Sequence, residues 1–484
     1  MGALAVVALV GRMVGLFGLL MLVPLVFAVA GHDPAERSFV QATVLTMACG
    51  LAMSALTRRF RRELQPKDGF VLVAMTWITL PMFGALPLYL AVPGLSVTDA
   101  YFEAMSAFTA TGATAISGLD DLPLSLNVWR CFMMWVGGLG IIVLAVAILP
   151  LLGVGGTQLF RAEAAGPMKD QKLTPRIADT ARAIWGIYGL LSLSCFLAYR
   201  AAGMSWIDAF LHMCTTVSLG GFSRYDASFA HWNSPAIEAV AMVFMMLSGI
   251  SLLLYFVGWR GRSLAPLWRN TEVRAFYAVI GGSILFISVY LTVFGAYPTF
   301  LESLRHTAFH VISVATTTGY SSYDYAQWPL FAGLLLVLLG CFATCAGSTG
   351  GGIKMVRMLL LLKQSQRELV RIVHPNVVNP VVLGGRAVDT RVIQSVIAYM
   401  MMYGATLVTL TMLMLFSGAD VVTAFTAIVA CVNNIGPGLG DVGPALNYQT
   451  LTDMQTWICS VAMLLGRLEL LSVLVLLTPQ FWRK

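Results

Sequence analysis

This sequence predicts an all-α integral membrane protein assembled from four copies of one unit. Three observations carry the prediction: an apolar composition, ten apolar stretches of spanning length, and a glycine-closed segment that recurs four times. Of the 484 residues 58% are hydrophobic and 11% charged, against roughly 25% charged in a soluble chain. A mean hydropathy of +0.80 over this length excludes disorder, collagen and coiled coil, which all need polar or periodic composition. The net charge of +7 would suggest nucleic acid in a soluble protein, but in a membrane chain basic residues report orientation first. No nucleic-acid partner is expected. The eight cysteines lie almost all in apolar runs, without disulfide or zinc spacing, and read as small fillers. Cys341 and Cys345 stand one helical turn apart but lack a nearby His or carboxylate to complete a metal site.

A helix needs about 20 apolar residues to cross a bilayer. Such stretches occur near 10–30, 38–57, 69–91, 127–152, 181–200, 234–258, 273–296, 329–362, 390–417 and 454–478. The first ends in Ala28-Val29-Ala30, a pattern compatible with signal-peptide cleavage. Its apolar run exceeds a signal core, so a retained anchor is the expectation. Basic residues set the orientation. Arg58, Arg59, Arg61, Arg62 and Lys67 follow the second span, and Arg161, Lys169, Lys172, Arg176 and Arg182 the fourth. The alternation continues with Arg260, Arg262, Arg269 and Arg274, then Lys354 to Arg391, then Arg483 and Lys484. Only Arg37, Arg130, Arg200, Arg224 and Arg305 fall on the other side, a bias of twenty-three to five. Both termini are therefore expected in the cytoplasm.

The outside connections repeat. They run from Ala100 to Thr114, Ala209 to Ser223, Ala308 to Ser321 and Ala424 to Gly438, each an apolar helical segment closed by glycine. Gly112, Gly220, Gly319 and Gly436 are 108, 99 and 117 residues apart, and an aromatic (Phe102, Phe210, Phe309, Phe425) precedes each by ten or eleven. The physical reading is a re-entrant pore loop, in which a short helix enters from outside, turns at a glycine and returns as extended backbone. Such backbone is tolerated at membrane depth only when it is buried or lines a watery cavity. Four loops around one axis can offer carbonyl oxygens to a cation, and glycine lets four backbones converge. Helix C-termini aimed at the axis favour a cation. The competing reading is four outer amphipathic helices with ordinary glycine C-caps. Carboxylates trail the loops, Asp120 and Asp121, Asp226, Asp324 and Asp441, and would form an acidic funnel at the outer vestibule or simply be solvated loop residues.

Thr111-Gly112-Ala113-Thr114, Leu219-Gly220-Gly221-Phe222-Ser223, Thr317-Thr318-Gly319-Tyr320-Ser321, the run Asn433 to Gly440, and Gly466-Arg467-Leu468-Glu469 together resemble the Trk/Ktr/HKT superfamily of potassium transport proteins, most closely its bacterial TrkH type. The likeness covers almost the whole chain. It implies two N-terminal helices (1–62) and four M1-P-M2 pore-loop repeats around one central pore, at 69–153, 177–262, 272–372 and 387–481. It implies potassium conduction or uptake through a backbone-carbonyl filter in a bacterial inner membrane. The filter residues would be Ala110, Thr111 and Gly112; Ser218, Leu219 and Gly220; Thr317, Thr318 and Gly319; and Asn434, Ile435 and Gly436. Glycine in all four loops favours potassium over sodium within that family. The likeness also implies a homodimer and a cytoplasmic nucleotide-binding ring of the TrkA or RCK type, for which 154–182 and 354–391 are candidate docking loops.

The eighth span is interrupted by Ala346 to Lys354, whose Gly347, Gly350, Gly351 and Gly352 each cost a helix about 1 kcal/mol. A broken helix suggests a moving part or a kink at a close crossing. By resemblance Gly347, Ser348, Thr349, Gly350, Gly351, Gly352 and Lys354 form an intramembrane gate loop. Arg467 falls near the middle of the last span, where a charge is expensive and faces a cavity or a partner. The resemblance makes it an electrostatic barrier below the filter, and a buried ion pair is the other reading. Gly438 to Gly443 fits a dinucleotide fingerprint without a strand and helix around it, and Gly347 to Lys354 fails the phosphate-loop pattern at Ile353. No nucleotide site is expected in this chain, and the resemblance implies potassium as cargo. The six histidines have no metal spacing. An enzyme would need paired carboxylates or a nucleophile and base at membrane depth, and none is found. A cation-coupled secondary transporter, moving potassium with protons or sodium, remains the alternative within transport.

Overall fold

The structure, a computed structural model, describes residues 2–57, 65–140 and 177–483. The inner end of the fourth span, Arg58 to Arg62, and Arg161 to Arg176 with most of the first docking loop lie outside the described residues. Six described helices are long and apolar enough to cross a membrane: Leu4–Ala30, Glu36–Leu56, Lys67–Ala91, Arg182–Ala201, Thr271–Val293 and Thr390–Phe416. Pro235–Ser248 and Leu252–Arg260, bent by 80°, make a seventh if taken as one span. Apolar side chains such as Leu51, Val293 and Phe416 stay exposed on the long helices, as lipid-facing surfaces require.

Four of the ten expected spans are broken in the backbone, the bent pair just given and three more; hydropathy is blind to such breaks, and only the one in the eighth span was expected, from its glycines. Leu124–Leu139 stops at Gly140, which has a positive φ of 54°. Leu330–Gly340 is separated from Met355–Val373 by a 14-residue loop of 341–354. Asp453–Arg467 ends where Glu469 and Leu470 take φ of 55° and 39°.

The N-terminal helix belongs to the packed body. A Cβ on Gly50 would stand 2.7 Å from the Gly11 carbonyl oxygen, so glycines let this helix and Glu36–Leu56 approach closely. Its Phe17 ring meets Phe108 and Trp129 with centroids 6.0 and 5.4 Å away, and Ala28 of the cleavage-like motif is buried.

Inside the long helices lie four short ones, Val97–Phe108, Trp206–Val217, Phe300–Ala315 and Val421–Val432. Each starts at a side-chain cap. Ser96, Ser205 and Thr299 accept from the amides of Asp99, Asp208 and Glu302, and Asp420 from those of Val422 and Thr423. Hydrogen bonds from Thr423 hold the Asp420 carboxyl below its ordinary range.

Each short helix also ends in the same way, with the last carbonyls taken up by a left-handed residue and its successor. The left-handed residues are Ala110, Leu219, Thr317 and Asn434, with φ of 52°, 57°, 61° and 54°. The next amides, of Thr111, Gly220, Thr318 and Ile435, reach back five residues to Ser106, Thr215, Ser313 and Ala430 at 2.8–2.9 Å. The caps are therefore not glycines, which disposes of the ordinary glycine-cap reading. Glycine comes two residues after each left-handed residue, at Gly112, Gly221, Gly319 and Gly436, with φ of 87°, 76°, 85° and 96°.

Candidate functional site

Those four glycines meet in a closed ring. A Cβ on Gly112 would collide with the Gly220 carbonyl oxygen, one on Gly221 with that of Thr318, and one on Gly319 with that of Ile435. The circuit closes at Gly436, where it would stand 2.8 Å from the Thr111 carbonyl oxygen. The carbonyls involved, of Thr111, Gly220, Thr318 and Ile435, occupy one register position, each immediately before the glycine of its own loop. Only residues without a Cβ permit this approach with a positive φ. In the second loop the ring glycine is Gly221, so the expected trio of Ser218, Leu219 and Gly220 shifts by one to Leu219, Gly220 and Gly221. Ser218 is instead the helix C-cap, its hydroxyl bonded to the Cys214 carbonyl at 2.8 Å. In the other three loops the ring glycine is the last residue of the expected trio.

Side chains brace the ring from behind. Glu103 and Arg130 form an ion pair at 2.6 Å with neither side chain exposed. Glu103 also accepts from the Ala115 amide at 2.9 Å and the Thr114 hydroxyl at 3.0 Å, on the returning leg of the first loop. Arg130 donates to the Ser223 carbonyl at 3.4 Å and lies 4.3 Å from the Phe222 ring centroid, on the second loop. The Tyr320 hydroxyl joins the third loop to Thr215 and Thr216 at 2.5 and 3.0 Å. Tyr448 donates its hydroxyl to the Gly436 carbonyl at 2.7 Å and its amide to that of Thr114 at 2.8 Å, tying the fourth loop to the first. Sequence reasoning missed these braces and counted Arg130 as an outside loop charge. The available signals were a Glu in an apolar short helix and an Arg inside an apolar run.

Against the ring lies the 341–354 loop, which meets the ends of the second, third and fourth short helices. The Gly351 amide donates to Thr317 Oγ1 at 2.9 Å, and a Cβ on Gly351 would collide with the Asn433 carbonyl. Thr349 donates to the Val217 carbonyl at 3.0 Å. Arg467 Nη1 donates to the Thr349 carbonyl at 2.9 Å, and its Nη2 to the Gly137 and Gly138 carbonyls at 2.7 and 2.9 Å. The loop also closes on itself, Lys354 Nζ donating to the Gly350 carbonyl and Thr344 to that of Gly351. Gly347 accepts from the Leu252 amide, and Ser348 bonds the Cys345 carbonyl. Gly352 has φ of 78° close to the Cys341 carbonyl. Arg467 thus sits half-buried at a helix end, where carbonyls gather, and not in mid-helix as the hydropathy run placed it. Glu469 pairs with Arg357 at 2.8 Å.

The trailing carboxylates do not form four equivalent positions. Asp226 accepts from the Gly118 and Leu119 amides at 2.9 and 3.2 Å, and Asp120 from the Asp226 amide at 3.0 Å, so these two join the first and second loops. Asp324 caps a turn through the Ala326 amide. Asp121 and Asp441 are exposed at their loops. Among the described residues no His, Cys, Asp and Glu cluster could hold a metal ion.

This architecture is shared with known proteins. The family model for TrkH, a cation transport protein, matches residues 35–484. The Trk system potassium uptake protein TrkH of Halomonas elongata is 43% identical over 480 residues, 99% of each chain. Its namesake in Escherichia coli K12 is 42% identical over 481 residues, again 99% of each. The crystal structure of the potassium transporter TrkH from Vibrio parahaemolyticus superposes with a TM-score of 0.90 at 39% identity, covering 100% of both chains. With matches that span both the loop ring and the broken helix, the chain belongs to the TrkH family of cation transport proteins.

Proposed function

We propose that this chain conducts potassium across the bacterial inner membrane through the ring, with four M1-P-M2 repeats surrounding one pathway and two helices added at the N-terminus. One observation carries the reading: the carbonyls of Thr111, Gly220, Thr318 and Ile435 stand in one register around a closed circuit of glycines. Carbonyl oxygens so arranged can replace the hydration shell of a monovalent cation. The filter is then Ala110 to Gly112, Leu219 to Gly221, Thr317 to Gly319 and Asn434 to Gly436. The short helices end at these loops, adding the partial negative charge of their C-termini.

The 341–354 loop is the gate in this reading, and Arg467 holds it while placing a positive charge in the path of the ion. A cytoplasmic nucleotide-binding ring of the TrkA type, as the family resemblance suggests, would act on the basic helix Met355–Val373, and the chain would work as a homodimer with both termini inside. The test is rubidium uptake into potassium-loaded liposomes holding the purified chain, with external sodium as competitor. Uptake that resists sodium, and turns sodium-sensitive in Gly112→Ser, is expected. Sodium outcompeting rubidium in the unaltered chain would overturn the assignment.

A further inference from the structure

Glu272 is an acidic side chain that neither the ring nor the ion path uses. It is buried, at the start of Thr271–Val293, and is fixed there by the Asn270 side chain, which accepts from the amides of Glu272 and Val273 at 2.9 and 3.1 Å. Its Oε1 accepts from the Ala346 amide at 2.7 Å and the Val356 amide at 3.1 Å. One carboxylate oxygen therefore holds the descending end of the 341–354 loop and the first turn of the helix that follows it. Ala346 and Val356 are ten residues apart, and everything that reaches Thr317, Val217 and Asn433 lies between them.

We propose that Glu272 is the clasp of this loop, a positioning residue that keeps it seated and must release Val356 before the loop can leave; the inference rests on the gate reading given above. The arrangement gives a pull on Met355–Val373 a defined first step. That helix starts at Lys354, with φ of 77°, and its first turn is held by two side chains, Glu272 on the Val356 amide and Glu469 on Arg357. Displacing the first turn breaks both contacts, while the Ala346 end stays held by the same carboxylate and by the Cys345 amide on the Gly249 carbonyl at 3.1 Å. The loop would then swing out from its Val356 end and return to the same anchor. A glutamine keeps the accepting oxygen, an aspartate is too short to serve both amides, and an alanine serves neither.

The experiment is rubidium flux into liposomes holding the full chain without a partner protein, comparing Glu272→Ala, Glu272→Asp, Glu272→Gln and a chain lacking residues 348–351. Expected is a rise of about fivefold or more in Glu272→Ala, a smaller rise in Glu272→Asp, and least change in Glu272→Gln, with the preference for rubidium over sodium intact. Flux raised by the deletion and unmoved by Glu272→Ala would overturn the clasp and leave the gate standing. Flux unmoved by either would overturn both. If Glu272→Ala does not yield folded protein, alkylation of the buried Cys345, read by peptide mass spectrometry, decides on Glu272→Asp. Faster labelling than in the parent and in Glu272→Gln supports the clasp, and equal rates overturn it.

Discussion

The ring and the loop beneath it are both irregular backbone buried among helices, yet they are held by different forces. The ring is set first by contact, with the Glu103, Arg130, Tyr320 and Tyr448 bonds behind it. Its glycines face neighbouring carbonyls at distances that no side chain could share, and its caps satisfy their own backbone. The loop has one such contact, Gly351 against the Asn433 carbonyl, and otherwise rests on separate hydrogen bonds to distant elements: Thr317, Val217 and Arg467 take one each, and Glu272 takes one from the loop and one from the helix after it. Steric closure cannot be released in steps, whereas hydrogen bonds of about 0.5–1.5 kcal/mol each can be exchanged one at a time. On the gate reading proposed above the ring is the fixed part and the loop the releasable one, and substitutions in the two should fail in different ways.

The sharpest break of the contrast is Gly319→Ala. The added methyl meets the Ile435 carbonyl and stands 2.7 Å from Pro437 Cδ, while φ of 85° adds strain. Loss of rubidium flux by more than a hundredfold is expected, measured beside Gly282→Ala, where the methyl meets nothing within 4 Å. Equal flux in the two would mean that the ring tolerates what its geometry forbids. Next in size is the buried pair. Glu103→Ala strands Arg130, and breaking one partner of a buried pair costs about 3–5 kcal/mol. A fall of several degrees in the thermal unfolding midpoint in detergent checks this. Replacing both partners, Glu103→Leu with Arg130→Met, is expected to restore much of the stability and leave sodium rejection weakened, because the first and second loops lose their common brace.

Arg467→Ala acts on the loop instead. It removes the bonds to Thr349, Gly137 and Gly138 together with a positive charge. Partner-free flux should rise by about tenfold, which corresponds to about 1.4 kcal/mol, with sodium rejection unchanged. A change in selectivity without a rise in flux would place Arg467 with the ring.

The same contrast explains what could be read from the sequence. The ring is local: a cap, an apolar helix and a glycine at a fixed spacing recur four times, so its loops stand out in one dimension. The caps Ser96, Ser205 and Thr299, each with an acid three residues on, were equally visible and went unused. The one error of register arose at Gly220-Gly221, where two adjacent glycines leave spacing ambiguous and only the left-handed Leu219 decides. The loop is non-local. Its glycines announced a break, but Glu272 touches residues 74 and 84 positions away, and in sequence it is an ordinary acid in a helix first turn. Arg467 was conspicuous as a charge in an apolar run, yet the helix end beside it is set by Glu469 and Leu470, whose left-handed backbone no hydropathy pattern reports.

The smallest expected effects lie at the outer mouth, where the contrast recurs on a lesser scale. Asp226 is bound to two amides and Asp120 to a third, so their charges serve the joint between the first and second loops. Asp441 lies exposed, and on the ion path proposed above its carboxylate would act on an approaching cation through the field alone. Exposed charges are screened within about 8 Å at physiological ionic strength. Asp441→Asn is therefore expected to lower the initial rubidium uptake rate by less than about twofold at low salt and by nothing measurable above about 0.5 M of an impermeant salt. Asp226→Ala is expected to keep its effect at high salt, because the amides of Gly118 and Leu119 lose their acceptor whatever the ionic strength. Uptake measured across a salt series separates the two: parallel loss of both effects would make the acidic mouth a field alone, and persistence of the Asp226 effect would make that carboxylate part of the frame that holds the ring.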